Sequence, residues 1–268
     1  MRSTVLIPLH RSARWAPVVQ ANIERLRGRC LIVVSDVHEH DGALASLRAS
    51  VGETDTIRFE GARPLASGWV VHANDLMSRV RTPYAMWLPH DDEIGADWID
   101  AGERTLDARP DAAAACGRLV PSPNSEEAMH VALKPDPVLG SHVRVRRLAR
   151  ALALVERGDP ALLGLLFRSV LRHDRVPPLP ERDEHGSWSD IMWALTLLGR
   201  GAAVPMSAGY AKTWHATSAV QQWRDARDDR AQLGLDIDRA LAELPRGTRA
   251  VVDWAARRPR TSSGGGRP

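Results

Sequence analysis

The sequence predicts an α/β fold whose sheet is largely parallel and covered by helices on both faces. Three observations carry this. Continuous apolar runs of strand length recur at residues 5–9, 31–34 and 84–88. Such runs are the pattern of strands buried on both sides. Stretches with apolar positions at helical spacing separate them, which gives strand–helix–strand units. Acidic residues stand where two of the strands stop, at Asp36 and at Asp91-Asp92-Glu93. In an open α/β sheet, that end of the strands borders the ligand crevice.

Taken in order, Val5-Leu6-Ile7-Pro8-Leu9 forms the first strand and His10-Arg11-Ser12 a polar turn. Trp15, Val18, Val19, Ile23 and Leu26 mark a helix, and Leu31-Ile32-Val33-Val34 the second strand. A short helix over 43–49, a strand over 56–59 and a helix between Gly68 and Val80 follow. The central strand ends at the acidic cluster. A helix over 97–108 and a strand over 112–120 come next. Residues 121–146, rich in Pro, Ser and charge, predict an irregular excursion. Residues 152–155 and 161–171 predict helices, and 177–184 a loop. A helix opens at Gly186-Ser187-Trp188-Ser189-Asp190, and a strand over 202–214 ends in His215. Amphipathic C-terminal helices over 218–257, with Trp223 and Trp254 packing back, precede a disordered tail over 258–268.

Composition bounds the function. A chain of 268 residues holds one large α/β domain or two small ones. Its net charge of +3 is small and partly in the tail, and no basic stripe interleaves with aromatics, which argues against nucleic acid. Cys30 and Cys116 form neither a disulfide framework nor a zinc pattern, and buried free thiols are expected. The first residues run straight into a strand, with no signal peptide, and no apolar run approaches the roughly 20 residues of a membrane span. The expected location is cytoplasmic. The basic C-terminal segment leaves open peripheral contact with an anionic membrane.

Adjacent carboxylates repel one another, so a strand end that gathers three of them has use for a cation. Oxygen-only sites suit Mg²⁺ or Mn²⁺, which take their remaining ligands from water and substrate phosphates. An acidic turn is the competing explanation. Asp36 either accepts hydrogen bonds from a base or ribose or caps the following turn. Asp190 falls in the first turn of its helix, where the helix dipole by itself favours a carboxylate. His72 and Asn74 lie at the edge of an apolar helix face, a place more typical of packing than of ligand contact.

The order of these pieces resembles the family 2 glycosyltransferases. The opening Val5-Leu6-Ile7-Pro8-Leu9-His10 is similar to their V-I-I-P-x-Y-N. Val33-Val34-Ser35-Asp36-Val37-His38 is similar to V-V-D-D-G-S. His72-Ala73-Asn74 keeps the Asn of A-R-N, and His90-Asp91-Asp92-Glu93 fits the D-x-D-like motif. Ser189-Asp190-Ile191, with Leu198-Gly199-Arg200-Gly201 closing its helix, looks like their catalytic E-D element. The resemblance covers residues 3–218, with one Asp rather than two at the second strand end and His10 in place of Asn.

The resemblance implies a GT-A-type, Rossmann-like mixed sheet flanked by helices, with a C-terminal helical extension. Residues 1–217 would form the transferase domain, with 1–120 holding the donor and 121–217 the acceptor. It implies transfer, with inversion, of a sugar from a nucleotide-diphosphate donor to an acceptor hydroxyl on a glycan, a lipid-linked intermediate or a small molecule. Pro8, His10, Asp36, Asn74 and Asp91 would bind the nucleotide sugar, Asp92 would hold Mn²⁺ or Mg²⁺, and Asp190 would be the base. His215 is a candidate third metal ligand or diphosphate contact, or an ordinary surface histidine. Two rivals stand beside this: a nucleotide-sugar-binding domain without turnover, and a zinc-dependent sugar N-deacetylase. The latter's H-P-D-D-E motif differs from Pro89-His90-Asp91-Asp92-Glu93 in the place of the proline.

Overall fold

The computed structural model describes residues 1–36, 41–61, 68–125, 134–156, 161–181 and 189–213. His215, Trp188, Trp223, Trp254, the helices expected over 218–257 and the tail over 258–268 lie outside these residues. So do Val37 and His38.

One sheet of eight strands runs through the described chain, in the order β3-β2-β1-β4-β7-β6-β8-β5. Its first part is the predicted parallel unit: β1 (Ser3–Leu9), α1 (Ala16–Leu26), β2 (Leu31–Asp36), α2 (Ala43–Val51), β3 (Ile57–Glu60), α3 (Gly68–Ser78) and β4 (Tyr84–Trp87). β1 pairs in parallel with both β2 and β4, so the winding direction reverses between β1 and β4. α1 and α2 contribute to the core on one face and α3 to the core on the other. Right-handed crossovers in opposite directions require this.

The second part departs from simple winding. β5 (Glu93–Ile94) follows the acidic cluster, then α4 (Trp98–Ala108) and β6 (Ala112–Pro121). α5 (Arg144–Glu156) and α6 (Ala161–Phe167) lead to β7 (Val170–Arg172), and α7 (Ser189–Arg200) to β8 (Ala202–Lys212). Residues 161–171, expected to be one helix, divide into α6 and β7. Periodicity cannot distinguish a short apolar helix from a short apolar strand. Pairing decides here, because Val170 and Leu171 are antiparallel to β6, and Leu171 and Arg172 to β4. The excursion expected over 121–146 gives way to helix at Arg144. There Arg147 donates to the carbonyls of Leu198, Ser141 and His142 and ties α5 to the last turn of α7.

Successive strand residues point to opposite faces, and the two cores divide accordingly. Leu6, Ala85 and Trp87 meet α3, α5, α6 and α7, whereas Val5, Ile7, Tyr84 and Met86 meet α1, α2 and α4. Both cysteines are buried and free, and burial pushes each thiol up to about 12. Gly117 in β6 allows close approach: a Cβ there would run into the Trp98 ring and the Ala208 carbonyl. Gly117→Ala is therefore expected to lower stability by about 1–3 kcal/mol through overpacking, measured as a shift in the urea-unfolding midpoint at unchanged slope.

Candidate functional site

The pairing directions bring the chemistry to one edge. β1, β2, β3 and β4 are parallel, and β7 is antiparallel to both β4 and β6. β6 thus runs with β4, and β8 is parallel to β6. The carboxyl ends of β1, β2, β4, β6 and β8 share an edge with the start of β7. Pro8, Asp36, Asp91, Asp92, Arg168 and Lys212 all belong to it. α7 runs into the amino end of β8, so its first turn, with Asp190, returns to the same edge.

The three acidic side chains after β4 go three ways. Asn22 of α1 pins the turn, donating from Nδ2 to the Asp92 carbonyl at 2.8 Å and accepting from the Ile94 N–H at 3.3 Å. Glu93 turns towards Arg25 at 3.2 Å, Ser122 Oγ at 3.1 Å and Asn124 Nδ2 at 3.1 Å. Asp92 has no exposed surface. Its Oδ1 accepts from the Thr213 N–H at 2.9 Å, and its Oδ2 from the Tyr210 hydroxyl at 2.9 Å and Arg168 Nε at 2.8 Å. Asp91 stays partly exposed, and its charge acts on Arg168, Tyr210 and Lys212.

Arg168, Tyr210 and Lys212 belong to none of the sequence motifs. Phe167, at the end of α6, stacks on Trp87 with centroids 4.7 Å apart and planes 5° apart. That contact sets the next residue, Arg168, beside the end of β4. Burial disfavours its guanidinium, but the charges of Asp92, Tyr210 and Asp91 and the hydrogen bond to Asp92 outweigh this and hold it above its ordinary pKa. Burial and then the Asp92 charge push the Tyr210 hydroxyl well above its ordinary value. Lys212 is 7% exposed; burial, then Arg168, lowers its pKa against Asp92, Asp91 and Asp190. One sequence signal was present. Met206, Ala208, Tyr210 and Lys212 share one parity of β8, so a lysine continues its buried face.

Asp190 accepts from the Ile191 N–H at 2.9 Å. Its carboxyl pKa is raised, because burial outweighs the opposing Arg168 charge, the backbone hydrogen bonds and the Lys212 charge. Arg168 and Lys212 are thus each within electrostatic reach of both Asp190 and Asp91, although the four come from separate parts of the chain. Asp36 is buried at the carboxyl end of β2. Beside it, Ser35 Oγ lies 2.9 Å from His72 Nε2, which ties α3 to β2. Pro8 is partly exposed and His10 exposed at the end of β1. Asn74, expected to meet the nucleotide sugar, instead holds the backbone of Leu179. Its Nδ2 donates to the Leu179 carbonyl at 2.8 Å and its Oδ1 accepts from the Leu179 N–H at 2.7 Å. It anchors the segment that leads towards α7.

The expected metal ligands test differently. Asp92 does not fit a metal, since it has no exposed surface and both of its oxygens accept from fixed donors. His215 lies outside the described residues. Among the described residues, no group of three or more His, Cys, Asp or Glu side chains is placed to hold an ion. Asp91 does fit Mn²⁺ or Mg²⁺: it is a partly exposed carboxylate at the crevice edge, and such ions take one or two carboxylates and complete their shell from substrate phosphates.

A scan against protein-family models finds no match, and neither does a search of curated proteins. Solved structures do match. TarS 1–349 of S. aureus in complex with UDP-GlcNAc superposes with a TM-score of 0.69 at 12% identity, over 96% of this chain and 70% of that one. The mannosyltransferase PcManGT of Pyrobaculum calidifontis, in complex with GDP-Man and Mn²⁺, gives 0.62 at 15% identity, over 95% and 69%. Glucosyl-3-phosphoglycerate synthase of Mycobacterium tuberculosis, with Mn²⁺, UDP and glucosyl-3-phosphoglycerate, gives 0.58 at 11% identity, over 88% and 80%. The fold is the GT-A fold of nucleotide-sugar glycosyltransferases. Among the described residues, no helix is long and apolar enough to cross a membrane.

The buried ion pair makes Asp92 structural. Asp92→Ala would strand Arg168 and is expected to cost about 3–5 kcal/mol, measured by urea unfolding in EDTA. A residue serving only as a metal ligand would leave stability in EDTA within about 0.5 kcal/mol of wild type.

Proposed function

We propose that the protein is a glycosyltransferase that moves a sugar from a nucleotide-diphosphate donor to an acceptor hydroxyl, with inversion, Asp190 acting as general base. The observation that carries this reading is the convergence of Asp91, from the turn after β4, and Asp190, from α7, on the two cations Arg168 and Lys212 at the carboxyl edge of a GT-A sheet. A site for this reaction needs positive charge on the diphosphate side of the anomeric carbon and a proton acceptor on the other. The edge supplies both.

In this reading the base and ribose lie over the ends of β1 and β2, against Pro8, His10 and Asp36. This is beside the β1/β4 switch point, and open α/β sheets take their ligands at such a point. Asp91 faces the ribose or a divalent ion. When bound, Mn²⁺ or Mg²⁺ supplies positive charge opposite the departing diphosphate. Support for an ion comes from two neighbours, PcManGT and the glucosyl-3-phosphoglycerate synthase, whose structures contain Mn²⁺ together with their nucleotides.

The acceptor oxygen forms its bond to the anomeric carbon as the bond to the diphosphate oxygen breaks. Asp190 takes the hydroxyl proton within hydrogen-bond reach. Its raised pKa suits a general base, because a more basic carboxylate binds a proton more strongly.

Two measurements test the proposal. A thermal-shift panel of UDP, GDP and dTDP and their sugars, with and without Mn²⁺, is expected to single out one nucleotide; no shift with any of them would sink the reading. With the donor known, Asp190→Asn is expected to lower the transfer rate by about 10²–10⁴-fold while leaving donor affinity unchanged. The base works only when ionised, so the wild-type rate should fall as pH drops through the Asp190 pKa. The raised value sets that acid limb above the usual 3.8. A limb at or below 3.8 would remove Asp190 from the role.

A further inference from the structure

We infer that Trp69 carries the acceptor, and that the acceptor is a saccharide whose ring lies on the indole with a hydroxyl turned to Asp190. This rests on the transferase reading and deepens it, since the sequence motifs name no acceptor contact. α3 begins at the carboxyl edge, following β3, and Trp69 is its second residue. Its side chain is 37% exposed. The other exposed large hydrophobics among the described residues belong to the opposite edge. Met1 precedes β1, and Val138 and Val143 flank Gly140, which lies against Ala203 at the start of β8.

The indole is the outer end of a chain of rings. It meets the partly exposed Phe167 edge-on, with centroids 6.0 Å apart and planes at 87°. Phe167 meets Trp193 edge-on at 6.0 Å and lies flat on Trp87. Hydrogen bonds fix the two inner rings: Trp87 Nε1 donates to the Ala73 carbonyl at 3.3 Å, and Trp193 Nε1 to the Pro177 carbonyl at 2.9 Å. Trp193 stands one turn after Asp190 on α7, so the indole and the proposed base flank one aromatic cluster. The two helix starts are also braced to one segment. Asn74 of α3 holds Leu179, and Ser189 Oγ of α7 donates to the neighbouring Pro180 carbonyl at 2.8 Å.

The donor's base and ribose are placed over β1 and β2, whereas Phe167 precedes β7, on the far side of β4. Trp69 therefore belongs to the acceptor side. One ring-sized apolar face, on an edge that also carries Arg168, Asp190 and Lys212, suits a molecule apolar on its face and polar around its rim. A pyranose has that form: its C–H groups pack on an aromatic ring while its hydroxyls meet the charged groups. An acyl chain needs a continuous apolar groove, and among the described residues no second exposed large hydrophobic stands at this edge.

Steady-state transfer by the full chain tests this, from the donor that wild type binds. The probes are the methyl glycosides of glucose, N-acetylglucosamine, mannose and galactose, beside glycerol and octanol. Wild type should prefer a glycoside. Trp69→Ala and Trp69→Gln should raise the KM for that glycoside at least about tenfold. Their kcat should stay within about threefold, the mark of lost ground-state binding, and nucleotide affinity by calorimetry within about twofold. Trp69→Phe and Trp69→Tyr, which keep a ring, should recover most of the loss. An unchanged KM in Trp69→Ala and Trp69→Gln would overturn the inference and leave the transferase reading intact. So would an equal loss of nucleotide affinity, or a failure of both to fold, since either gives the indole another role. Wild type that binds a nucleotide diphosphate but glycosylates none of the four glycosides would overturn it too. A wild-type protein that binds no diphosphate would instead overturn the transferase reading itself.

Discussion

The carboxylate of Asp92 is the point on which the rest of the site depends. It follows the central strand, has no exposed surface, and accepts from Arg168, Tyr210 and the Thr213 N–H. These partners lie far along the chain, at the α6–β7 junction and the end of β8. Losing one member would leave the others charged or polar in a largely buried space, which couples them strongly. The network joins the two parts of the sheet at the edge where the site lies. It also holds Arg168 and Lys212 within reach of Asp91.

Seen from that pair, the acidic cluster is a division of labour. Glu93 braces the turn against α1 and residues 122–124, Asp92 braces the two parts of the sheet, and Asp91 stays partly exposed at the crevice. A comparable economy applies to α3, where His72 meets Ser35 and Asn74 holds Leu179. Residues that look like ligand contacts in a motif thus serve as the frame that positions the contacts. The raised pKa of Asp190 and the lowered pKa of Lys212 come from the same cause: burial at an edge where charges from four elements converge.

The parallel half of the fold was legible because each element there obeys one local rule. Buried strands are continuous apolar runs, helices repeat at 3.6 residues, and acids mark strand ends. The boundaries of β1, α1, β2, α4 and β6 follow the predicted ones closely. Residues 161–171 resisted, since an apolar run of that length satisfies both a short helix and a buried strand, and only the ladder partners β4 and β6 distinguish them. β5 is two residues long and exists through its pairing with β8, so no local pattern announces it.

The sequence by itself determined the fold class, the strand ends that face the crevice, and the set of carboxylates at that edge. Those depend on periodicity and on the reach of a few residues along the chain. Which carboxylate is structural and which faces the crevice was decided only by the tertiary structure. Asp91 and Asp92 are chemically identical neighbours, and their difference lies in Arg168 and Tyr210, 76 and 118 residues away from Asp92. The cations are the same case: an Arg and a Lys are commonplace in a sequence, and only the tertiary structure buries both at the edge where Asp91 and Asp190 lie.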